Sequence, residues 1–135
     1  MAGFTPDEGE TLAGQVLFQR THVDRDADLE LGLFTNAAPG ETITEATIAE
    51  PTGGGYARKT LTDASWSVTG GIASYSPQIF TVSGTDYSAD VVGYFVATKS
   101  SGGTQRLIHV EIDGLGPHDL NVGNTYTVTL NTTVE

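Results

Sequence analysis

The residues able to do chemistry are few and widely spaced. Three histidines, His22, His109 and His118, are scattered, and none has a second histidine at metal-ligand spacing. His109 and Glu111 share one strand face, as either an acid/base pair or a solvent-facing polar pair. Asp24, Asp26 and Asp28 alternate as at the start of an EF-hand calcium loop. That pattern fails at its sixth position, where Leu29 replaces the turn glycine, and at its twelfth, where Thr35 replaces glutamate. An extended strand explains the alternation more simply, with Asp28 and Glu30 facing water and Leu29, Leu31 and Leu33 facing a core. The chain has no cysteine, nucleophile elbow, phosphate-binding glycine loop or His-Glu-x-x-His. Carboxylates for glycosidic cleavage are defined by separation in space, and nothing in the sequence singles out a pair. Asn131-Thr-Thr fits a glycosylation sequon but reads more simply as part of a polar strand. The expectation is a protein that is not an enzyme, with no cofactor and no metal.

Binding chemistry is better represented. From Glu50 to Trp66 the chain reads Glu-Pro-Thr-Gly-Gly-Gly-Tyr-Ala-Arg-Lys-Thr-Leu-Thr-Asp-Ala-Ser-Trp. Pro51 fixes its own φ and biases Glu50 toward extended backbone, while Gly53, Gly54 and Gly55 permit positive φ or a close backbone approach. Past the bend, Tyr56, Arg58 and Thr60 alternate with Ala57, Lys59 and Leu61. Tyrosine and arginine are enriched at interface hot spots, so the bend reads either as a docking surface or as a corner between two strands. Trp66, the one tryptophan, is expected to anchor a core and to find a partner for its N–H.

These residues must be positioned by short strands. Seventeen glycines and twenty threonines among 135 residues suit strands joined by tight turns rather than helices. One helix is expected, from about Pro6 to Arg20. Thr5-Pro6-Asp7-Glu8 reads as a capping box with Thr5 as N-cap and Glu8 reaching back; Glu10 follows in the acidic opening turns, and Leu12, Ala13, Val16 and Leu17 form an apolar stripe. Strands follow at Leu29–Phe34, at Ser65–Val68 and Ile72–Tyr75 around a Thr69-Gly70-Gly71 hairpin, and at Gln78–Val82 after a break at Pro77. Further strands are read at Val91–Thr98, at Gln105–Ile112 and at Thr125–Val134. In Gln105–Ile112 the alternation turns Ile108, Val110 and Ile112 inward and Leu107, His109 and Glu111 to the opposite face. Glu41–Glu50 fits an edge strand or an ordered loop, and Lys99–Thr104 a hairpin loop. The fold class is mainly β: an antiparallel β-sandwich, jelly-roll or Greek-key type, with one N-terminal α-helix. It makes a single domain over 1–135, with a helical segment at 1–22 and the sandwich at 28–135.

The net charge of −11 argues against nucleic-acid partners. It is lopsided, since residues 1–50 hold ten acidic and two basic groups, and residues 51–135 hold seven and four. The opening residues lack a basic region and an apolar run, and no apolar stretch approaches the ~20 residues of a membrane helix. The reading is therefore a soluble protein made in a cytoplasm, with no membrane partner.

Several segments taken together resemble a group of small tailed-bacteriophage virion proteins. They are Leu31-Gly-Leu-Phe-Thr-Asn36, Glu50 to Arg58 followed by Leu61 and Trp66, Gly71-Ile-Ala-Ser-Tyr75, Gln78-Ile-Phe80 and Val92-Gly-Tyr-Phe95. The resemblance implies a β-sandwich that binds other virion proteins. The resemblance does not fix head or tail; the net charge of −11, which packaged DNA would repel, and the lack of a catalytic set lead to the expectation of a capsid decoration (cement) protein on the capsid exterior. Such a protein would assemble in the host cytoplasm, contact the major capsid protein and form a homotrimer at a local threefold position. Glu8, Glu10, Pro51, Gly54, Gly55, Tyr56 and Arg58 are the expected interface residues. The alternative is a tail or fibre module binding host glycans through an aromatic platform drawn from Trp66, Tyr75, Tyr87 and Tyr94.

Overall fold

A computed structural model describes residues 2–15, 18, 28–99 and 105–133. Its elements in chain order are β1 (Ala2–Phe4), α1 (Asp7–Gly14), β2 (Leu29–Phe34), β3 (Lys59–Leu61), β4 (Ser67–Thr69), β5 (Ile72–Thr81), β6 (Gly93–Thr98), β7 (Leu107–Ile112) and β8 (Thr125–Thr133). The strands form two sheets, one of five strands in the order β1-β7-β6-β2-β3 and one of three in the order β4-β5-β8. Every strand pairing is antiparallel. The protein is an antiparallel β-sandwich with one helix. No helix among the described residues is long and apolar enough to cross a membrane.

Two apolar clusters lie on opposite faces of the five-stranded sheet. Between the sheets, Leu31, Leu33, Leu61 and Val96 meet Phe80, Val82, Val128 and Leu130. On the far face, Phe34, Phe95, Leu107 and Val110 are covered by Ile43 and Ile48 from the segment before Glu50. A sheet covered on both faces needs apolar residues at successive positions, and all six residues of β6 are buried. Glu41–Glu50 contains no strand; it is an ordered run of turns that closes the second layer.

Several local expectations are corrected. Helix α1 covers Asp7–Gly14, and Pro6, not Thr5, stands at the N-cap with no side-chain cap. The expected stripe residues Val16 and Leu17, His22, the aspartates at 24 and 26, the loop at 100–104 and Val134 lie outside the described residues. Pro77 does not break the chain. Strand β5 runs through it, and the register against β8 shifts between Tyr75 and Gln78, so a bulge takes up the proline's missing donor. Strand β7 carries a second irregularity, between the pairs Val96–His109 and Ala97–Leu107. The extra residue moves Leu107 onto the far-face cluster with Val110 and turns Ile108 toward the cluster between the sheets, reversing the simple alternation for these two. The hairpin at Gly70-Gly71 forms as expected, with φ of 59° and 77°, which a two-residue turn of matching twist requires.

Candidate functional site

The bend after Glu50 is built by clamping backbone to backbone. Thr52 and Ser88 bond twice: the Thr52 N–H donates to Ser88 Oγ and the Ser88 N–H donates to the Thr52 carbonyl, both at 2.9 Å. The Ser83 N–H donates to the Gly54 carbonyl, and the Gly54 N–H donates to Thr85 Oγ1, each at 3.0 Å. Gly54 has φ +59°, and any β-carbon there would run into the Tyr87 ring and Val82. Glycine is therefore required on two counts, conformation and space.

The bend delivers Tyr56 and Arg58 to one carboxylate. The Tyr56 ring stacks on Phe80 (centroids 6.0 Å apart) and meets Tyr87 edge-on at 5.8 Å. Its hydroxyl donates to Glu50 Oε1 at 2.6 Å and accepts the Leu33 N–H at 2.9 Å. Burial first, and then the bond to Glu50, raises the Tyr56 phenol far above its ordinary value of 10.0. The Arg58 guanidinium forks onto Glu50, with Nε to Oε1 at 3.0 Å and Nη2 to Oε2 at 2.8 Å. Nη2 also reaches Glu45 at 2.7 Å, and Nη1 reaches Glu30 at 3.2 Å. The guanidinium lies 5.0 Å from the centroid of the Phe95 ring. Burial alone would lower the Arg58 pKa, but the bonds to Glu50, Glu45 and Glu30 outweigh it and hold the charge.

Glu8 belongs to the same assembly. It does not reach back to its own helix. Its Oε1 accepts the Glu45 N–H at 2.8 Å and the Leu107 N–H at 2.7 Å. Glu45 therefore links Glu8, through its backbone, to Arg58, through its carboxylate. The acidic helix and the glycine bend, separate in sequence, form one polar seam along the second layer. Within it, Pro51 and Gly54 are buried, Glu8, Tyr56 and Arg58 are partly buried, and Glu10 and Gly55 are exposed. The Arg58 side chain is only 18% exposed, its guanidinium taken up by carboxylates of its own chain. Glu30 is likewise turned to Arg58 at 17% exposure rather than to water, because the outer face of its sheet is covered.

No family model, curated protein or solved structure matches this chain. Its own geometry must carry the functional reading.

A second polar cluster, which sequence reasoning missed as a unit, sits at the far end of β7. Asp113 Oδ2 accepts from His118 Nε2 at 2.8 Å and from the Tyr126 hydroxyl at 2.9 Å, and Oδ1 accepts the Leu115 N–H at 2.9 Å. Burial works to raise the Asp113 pKa, but these three bonds outweigh it and hold the carboxyl below its ordinary 3.8. The His109–Glu111 pair spans 2.8 Å at 14% and 17% exposure, so it is part-buried rather than solvent-facing. Burial, aided by Glu111, pushes the nearby Tyr94 phenol up to about 12. A groove of about 510 Å³ runs alongside, lined by Ala37, Ala89, Val92, Ile112 and Pro117 among others, with Asp90 and Asp113 as its acids. Both Asp113 oxygens are bonded within this cluster. Among the described residues no group of three or more His, Asp or Glu is placed to hold a metal ion.

The aromatic candidates do not form one platform. Tyr87 and Tyr94 are buried at 7% and 5% exposure. Trp66 and Tyr75 pack edge-on at 5.1 Å against the cluster between the sheets. The Trp66 Nε1–H is buried without the hydrogen-bond partner expected for it.

Proposed function

We propose that this protein is a structural component of a tailed-phage virion, binding the outer surface of the capsid and bridging capsomers as a decoration, or cement, protein. One observation carries the reading: the segments that bear the resemblance to virion proteins meet as a single packed unit. Gly32 lies against the Phe95 ring, the Leu33 N–H bonds the Tyr56 hydroxyl, Tyr56 stacks on Phe80, and Arg58 covers Phe95. Dispersed sequence fragments are far more informative when they support one another in space than when each is taken alone. On this reading the resemblance rests on a scaffold, leaving the exposed faces to set the partner.

The charge supports the outside of a shell. A protein of net charge −11 is repelled by packaged DNA and has no electrostatic reason to line the lumen. Bridging capsomers calls for area and shape complementarity, which the faces and edges of a β-sandwich can supply. Capsids assembled without the protein are expected to lose resistance to heat or low salt and to regain it on adding the purified chain. Unchanged particle stability would count against the proposal.

A further inference from the structure

Four strands end the two sheets, and three of them are blunted. β1, β3 and β4 are three residues long, and β3 also carries Lys59; short edges and edge lysines are the usual protection against strand pairing. The fourth is β8, nine residues from Thr125 to Thr133 with no proline, glycine or charge. On one side it pairs with β5; among the described residues nothing pairs with the other. Its residues alternate cleanly, with Val128 and Leu130 buried and Thr125, Thr127, Thr129 and Asn131 exposed.

We infer that the free edge of β8 pairs antiparallel with β8 of a second copy, joining two three-stranded sheets into one of six strands. Two arguments select a second copy as the occupant. The first is charge. With 17 acidic and 6 basic residues, two copies repel each other overall, whereas β8 brings together a stretch with no charge. The second is register. A two-fold pairing centred on Thr129 sets odd positions against odd, so that Thr127 of one copy lies beside Asn131 of the other. Even positions then remain on the core side of both copies, so the strand is complementary to itself. A slip of one residue would turn every side chain to the wrong face, which fixes this parity. The inference stands independently of where in a virion the protein sits, and it gives two copies in place of the expected homotrimer.

Sedimentation equilibrium of the full-length chain at neutral pH tests it, alongside Thr127→Glu/Thr129→Glu and the control Thr81→Glu. Thr81 is exposed on the adjacent strand of the same sheet and pairs with Thr125, on the side of β8 opposite its unpaired edge. The expected result is twice the chain mass for the parent and for T81E, and a monomer for the double variant with an unchanged circular-dichroism spectrum. Hydrogen exchange supplies a second readout that needs no variant: alternate β8 amides should gain protection as concentration rises into the dimer range. A parent that stays monomeric, a parent of three times the chain mass, or a dimer that T81E disrupts as fully as the double variant would each overturn the pairing. So would β8 amides that exchange alike at low and high concentration.

Discussion

Arg58 shows how a single residue can hold a layer in place. Three carboxylates from β2 and from the segment before the bend converge on it, and without it they would repel at close range. Arg58→Met is expected to destabilise the fold by on the order of 3 kcal/mol, since one charge of a part-buried network is removed while its partners stay. Arg58→Lys keeps the charge but loses the fork, and should cost less; chemical denaturation of both variants checks the order. Tyr56→Phe leaves the Leu33 N–H without its acceptor and should cost about 1–3 kcal/mol in the same assay. Titration adds two limbs. The Asp113 carboxyl is held below 3.8 in the fold, so its stabilisation is present above that value and fades as pH falls beneath it. Asp113→Asn should therefore flatten the acid limb of a stability–pH curve. The Tyr94 phenol is pushed up to about 12 from 10.0, so its contribution holds below pH 10 and is lost between 10 and 12. The tyrosinate absorbance of Tyr94, obtained as the difference from Tyr94→Phe, should then rise together with loss of the circular-dichroism signal over that window, and its ionisation without unfolding would contradict the burial assigned to Tyr94.

Elements rather than residues decided what the sequence could reveal. Strand β2, the hairpin at Gly70-Gly71 and the buried run of β6 were legible because each carries its own signal: alternation, a paired-glycine turn, or an unbroken apolar stretch. Bulges carry no such signal. One extra residue in β7 exchanged the faces of Leu107 and Ile108, and Pro77 was absorbed where composition suggested a break. The second layer was equally hidden, because a strand with one face to water and a strand covered on both faces by a long loop can begin with the same alternation. Local pattern makes Glu30 a solvated strand residue and Glu8 a helix cap, whereas both act across the chain. Glu8→Ala tests that longer reach. It should destabilise the protein by about 1–3 kcal/mol, more than loss of an exposed helix acid, because two backbone donors lose their acceptor. Gly54→Ala should cost at least as much, since its β-carbon meets the Tyr87 ring at positive φ. Thermal melts of both variants give the comparison.

At the scale of the whole molecule, the polar side chains of the seam and of the Asp113 cluster are each bonded within their own cluster, while among the described residues a long uncharged strand edge has no partner. That distribution suits a molecule that works by adhering to other subunits. The measurement that bears most directly on this claim is the position and copy number of the protein in intact particles, by electron microscopy with quantitative protein analysis. Hundreds of copies distributed over the outer shell are the expected result, and a handful confined to one vertex, or copies enclosed with the DNA, would contradict the account.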